Sequence, residues 1–64
     1  MELGTVKFYD EEKKFGFITN NETNIDIFVH VSGITEKIAK ADNVSYDIVD
    51  GTKGKNAINV RKLK

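Results

Sequence analysis

Residues 13–18 read Lys13-Lys14-Phe15-Gly16-Phe17-Ile18, and residues 27–31 read Ile27-Phe28-Val29-His30-Val31. Side chains along a β-strand point to opposite faces in turn, so Lys13, Phe15 and Phe17 project together while Gly16 and Ile18 face the other way. In the second stretch Ile27, Val29 and Val31 share one face, and Phe28 and His30 share the other. The aliphatic or small set, Gly16, Ile18, Ile27 and Val29, is expected inside, leaving Phe15, Phe17, Phe28 and His30 toward solvent. The inverse arrangement would bury Lys13 and His30 beside the rings and expose four aliphatic positions. Neighbouring phenylalanines that face water need a reason. Stacking supplies one, because every unpaired base has a π-face that a flat ring can cover.

Working outward, three more segments have strand character. Leu3 to Tyr9 contains Thr5, Val6, Phe8 and Tyr9, all good sheet formers. Val44 to Val49 and Asn56 to Leu63 flank Asp50-Gly51-Thr52-Lys53-Gly54-Lys55, in which Asp-Gly signals a hairpin. With Phe15 to Thr19 and Ile25 to Val31 this makes five short strands, separated by the polar turns 10–14 and 20–24. Residues 32–43 resist a strand assignment. Ile34, Lys37, Ile38 and Ala41 could form the apolar face of one helical turn, and a loop with a 3₁₀ or α turn is expected there. Five short strands without a long helix predict a closed β-barrel or a small sandwich, with the barrel favoured because a short chain is poorly served by open strand edges.

The chain has 64 residues, no cysteine and one histidine, so neither a disulfide nor a zinc cluster can staple it. One domain over residues 1–64 is expected, living on a compact apolar core. The apolar residues come as short runs, none near the roughly 18 residues of a membrane span. Met1-Glu2-Leu3-Gly4 has neither the basic stretch nor the apolar block of a secretory signal. The cytoplasm is the expected compartment, and no membrane partner is expected. Ten cations match ten acids overall, but their distribution is uneven. Residues 1–52 carry a balance of −5, and residues 53–64 carry +5 from Lys53, Lys55, Arg61, Lys62 and Lys64. Beside an aromatic face, that basic edge would meet phosphates.

The first stretch resembles the first ribonucleoprotein motif of cold-shock domains, usually written K-G-F-G-F-I, and Ile27-Phe28-Val29-His30-Val31 resembles the second, V-F-V-H-F. Flanking residues add to the likeness: Gly4, Val6 and Lys7 before Phe8-Tyr9, then Ser32-Gly33-Ile34, Val44-Ser45-Tyr46, and Ala57, Asn59 and Val60. The resemblance implies an all-β fold, a small five-stranded antiparallel OB-type barrel. It implies binding of single-stranded RNA or DNA with low sequence specificity, often as an RNA chaperone. Carried over by position, the binding residues are Lys7, Phe8, Lys13, Phe15, Phe17, Phe28 and His30, with Lys53 and Lys55 at the rim. His30 would stack on or hydrogen-bond a base. Strict alternation sets Phe8 with the core residue Val6; the resemblance sets it on the binding face, and a twist or bulge would reconcile the two.

Five positions depart from the family pattern. Phe8 replaces the usual tryptophan, Val31 replaces an aromatic, Lys55 stands where proline is common, Lys14 replaces glycine, and the loop from Thr35 to Lys37 is short and lacks an aromatic. No catalytic constellation, cofactor, metal or small-molecule substrate is expected, and the expected state is a monomer. The competing reading is a divergent barrel that uses its aromatic patch against a partner protein.

Overall fold

The computed structural model of the protein describes residues 2–51 and 54–63. Five strands, β1 (Glu2–Asp10), β2 (Phe15–Asn20), β3 (Asp26–His30), β4 (Asn43–Gly51) and β5 (Gly54–Lys62), close into a barrel in the order β1-β2-β3-β5-β4. Four of the joins are antiparallel; the fifth, between β3 and β5, is parallel and short, with Phe28 opposite Asn56 and Val29 opposite Ala57. The barrel is therefore mixed rather than antiparallel throughout. The parallel join follows from connectivity, since residues 31–42 carry the chain from β3 to β4 and only then does the β4–β5 hairpin bring β5 back beside β3.

The expected inward set is inward. Ile18, Ile27 and Val29 are buried with Val6, Val44, Tyr46, Ala57 and Val60, and Gly16 is buried beneath β1. A Cβ at Gly16 would collide with the carbonyl of Phe8, so glycine is the residue that lets β1 and β2 approach here. Residues 32–43 form no helix: a single 3₁₀ turn spans Val31–Gly33. Ile38 from this segment nevertheless plugs the core, and Ile34 packs against it. Val31, expected to share the inner face of β3, is 39% exposed instead. The strand ends at His30, and the 3₁₀ turn breaks the two-residue alternation before it reaches Val31.

The two turns of the β1–β2–β3 meander are built alike. Asp10 Oδ1 accepts the amides of Glu12 and Lys13 at 3.0 and 3.2 Å, and Lys14 N–H returns to the Asp10 carbonyl at 2.7 Å. Asn20 Oδ1 likewise accepts Glu22 and Thr23 at 2.8 and 3.0 Å, with Asn24 N–H on the Asn20 carbonyl at 2.9 Å. Each turn closes with a left-handed residue, Lys14 at φ 61° and Asn24 at φ 58°. Asparagine tolerates that conformation and lysine less so. Asn20 is tied further inward, because its Nδ2 donates to the buried Tyr46 hydroxyl at 2.9 Å and to Glu2 Oε1 at 3.2 Å. One side chain thus shapes a turn and fastens it to the barrel floor.

Two outcomes follow for stability. Lys14→Gly removes the left-handed strain, and thermal or urea denaturation should report a gain of about 0.5–1 kcal/mol; an unchanged midpoint would deny the strain. Burial pushes the Tyr46 hydroxyl above its ordinary value of 10.0. A raised value means stability is fully present below that pH and is lost as pH rises through the folded-state value. Tyr46→Phe should flatten this alkaline limb while costing about 1 kcal/mol at neutral pH, where Asn20 loses an acceptor.

Candidate nucleic-acid interface

The aromatic face depends on one irregularity. Val6 pairs with Ile18 and Phe8 with Phe17, so Lys7 is an extra residue, a β-bulge, between them. Val6 faces the core, while Lys7 and Phe8 are both exposed and Tyr9 turns back toward the core opposite Gly16. The bulge resolves the conflict over Phe8, placing it on the outer face at 38% exposure. Cross-strand register then sets three rungs on that face. The central row runs Phe8, Phe17, Phe28 and on to Asn56 and Val49. On one side lies Asp10–Phe15–His30, and on the other Thr19–Asp26.

The rings touch. Phe8 lies 5.5 Å from Phe17 and 6.2 Å from Phe15; Phe28 lies 5.7 Å from Phe15 in a near-parallel stack and 5.8 Å from Phe17 edge-on. Such pairs each contribute about 0.5–1.5 kcal/mol beyond the area they bury. Phe15, Phe17 and Phe28 are half-buried against one another, so the patch is braced and still presents its outer ring faces to solvent. The neighbouring His30 is held by its own turn. Ser32 N–H donates to its Nδ1 at 3.2 Å, and Ser32 Oγ lies 3.0 Å from the same nitrogen. With Nδ1 accepting, the proton of the neutral ring sits on Nε2.

The cations are distributed unevenly. Lys13 lies in the 11–14 turn, ahead of the strand, so the alternation that was expected to carry it alongside Phe15 does not reach it. Lys13 and Lys14 are exposed and form no ion pair among the described residues. Lys7 Nζ donates to Asp26 Oδ2 at 2.8 Å, while Thr19 Oγ1 donates to Asp26 Oδ1 at 2.8 Å. Those two bonds, the lysine's first, hold the Asp26 carboxyl below its ordinary value. Lys55 lies 3.6 Å from Asp50, and Lys62 lies 3.9 Å from Asp42. Lys53 lies outside the described residues. Among the described residues no group of three or more histidine or acidic side chains could hold a metal, and no helix is long and apolar enough to cross a membrane.

Two members of this face were passed over in the sequence. Asp26 is two residues before Phe28, so the same alternation places it outward. Asn56 enters through the parallel β3–β5 join, which no local pattern announces.

A small closed barrel with a filled aliphatic core and a braced aromatic outer face is the form taken by small β-barrel binding modules. The particular family is given by comparison with known proteins. Residues 2–63 match the family model described as 'Cold-shock' DNA-binding domain. The chain is 44% identical to a cold shock-like protein of Aquifex aeolicus, over 94% of this chain and 91% of that protein. It is 40% identical to the major cold shock protein of Micrococcus luteus, over 98% and 100%, and 44% identical to cold shock-like protein CspC of Escherichia coli K12, over 94% and 93%. Among solved structures, Drosophila Unr CSD456 superposes with a TM-score of 0.80 at 24% identity, over 98% of this chain and 26% of that one, a likeness of fold. The chain belongs to the cold-shock domain family.

The Asp26 shift has a testable sign. A lowered carboxyl stabilises the fold above its ordinary value of 3.8, and that contribution is lost as pH falls through the folded-state value. Asp26→Asn should melt lower than the wild type at neutral pH and converge with it in acid. A gap that persists in acid would place the effect outside this carboxylate.

Proposed function

We propose that this protein binds single-stranded RNA or DNA by stacking bases on Phe8, Phe15, Phe17, Phe28 and His30, with little sequence selectivity. The observation that carries the reading is the contiguous patch of four phenylalanine rings on the outside of a barrel whose interior is already filled. Flat rings accept any base, so the surface suits a protein that holds RNA open without choosing its sequence, an RNA chaperone of the cold-shock kind. Lys13 meets phosphates directly. Lys7 and Lys55 serve at the rim only to the extent that Asp26 and Asp50 release them, and Lys53 is assigned the same role. The protein acts as a monomeric module over residues 1–64, in the cytoplasm, without catalysis, cofactor or small-molecule substrate.

Stacking is worth about 1–3 kcal/mol per base, and association entropy opposes it, so affinity for a short strand falls in the micromolar range. With two or three lysines on phosphates, log K should decline with log salt at a slope of about −2. The test is a titration of a labelled pyrimidine-rich oligonucleotide at several salt concentrations, with duplex as control. Phe15→Ala, Phe17→Ala and Phe28→Ala should each weaken binding by about 1–3 kcal/mol while the barrel survives. A slope steeper than about −5 would make electrostatics the driving force. No binding at low salt would hand the aromatic face to a protein partner.

A further inference from the structure

The borders of the aromatic face carry information that its centre does not. Beyond the Thr19–Asp26 rung, Lys7 is matched by Asp26 at 2.8 Å. Across the central row, past Asn56 and Val49, no ring follows among the described residues, and Lys55 lies 3.6 Å from Asp50. In the turn beside Phe15, Glu11 and Glu12 offset Lys13 and Lys14. Beyond His30 lies a cleft of roughly 350 Å³ walled by Tyr9, Val31, Ile34 and Ile38, with Glu36 set against Lys37 at its rim and Glu11 of the turn beside them. That cleft has room for a base, but Tyr9 is packed against the core, Val31 brings no ring, and Glu36 and Lys37 cancel in charge. On none of these sides do the described residues leave a net positive charge, and the whole chain is neutral.

A single strand gains affinity from each nucleotide by two routes, a base stacked on a ring and a phosphate neutralised by a cation. Here both routes stop at the same boundary. We infer that the protein grips a segment of about four nucleotides, the low end for barrels of this kind, and gains almost nothing from a longer strand. Its ligands are then short unpaired elements such as hairpin loops, bulges and strand ends, rather than long open tracts. A long-tract binder needs a basic groove that tracks the backbone outward from the rings, and this barrel's border is charge-balanced instead.

This inference rests on the single-strand reading above, and one experiment separates the two. Labelled oligothymidylates of two to eight nucleotides are titrated at low salt, and each affinity is divided by the number of registers the strand offers. Up to about four nucleotides, each added unit should tighten binding about threefold or more; from there to eight the whole further gain should stay under about twofold. Val31→Phe combined with Glu11→Lys supplies a ring and a cation at two exposed positions, and should carry the gain on to about six nucleotides. A wild-type gain that continues at about threefold per nucleotide past five would overturn the bounded footprint while leaving single-strand binding intact. A double variant with an unmoved plateau would overturn the role given to the border. Absence of binding at every length would sink the single-strand reading itself.

Discussion

The interior of this barrel is small, and its size decides what the outside must be. Val6, Ile18, Ile27, Val29, Val44, Val60 and Ala57, with Tyr46 and Ile38, fill it at close packing. A benzyl group added to that set would overpack the core and strain the wall. Four phenylalanines therefore stand on the outer face or at its edge, and water is kept from them mainly by one another. The bulge at Lys7 completes the arrangement, because without the extra residue Phe8 would share the inner parity of Val6 and the central row would lose its first ring.

Mutual bracing explains how so apolar a surface can belong to a folded, neutral molecule. Each ring gives up part of its exposure to a neighbour tilted or stacked within about 6 Å. The rings already support one another before any ligand arrives, which lowers the ordering cost of binding. The same geometry keeps the electrostatics local. Lys7, Lys55 and Lys62 answer carboxylates of the protein itself, so the charge count of the basic C-terminal strand overstates its pull on the rings' surroundings.

Much of this was readable in the chain because the relevant patterns are local. Alternation in Phe15–Ile18 and Ile27–His30 assigns inside and outside correctly, and the turns announce themselves through Asp10 and Asn20, whose side chains satisfy the amides that follow them. Strand centres were legible and strand ends less so: β1, β4 and β5 run beyond the sheet-forming cores of their segments, and β3 stops short of Val31. What could not be read is non-local. The parallel β3–β5 join, the burial of Ile38 from an irregular segment and the presence of Asn56 beside Phe28 depend on which distant strands meet. The basic C-terminal run suggested a cationic edge, yet a charge count along the chain cannot reveal that Asp42 and Asp50 come back to meet it.

That parallel join is also the thinnest part of the wall. Only two facing residue pairs hold β3 to β5, with an isolated bridge from Ile34 to Val60 in the segment that follows β3, whereas the β4–β5 hairpin is zipped along nearly its whole length. Amide protons at this suture should exchange with solvent earlier than those of the hairpin on warming. Since Phe28 sits on the suture, its parting splays the aromatic surface while the other strands are still joined. On heating, the order of the rings would then be lost before the barrel itself comes apart.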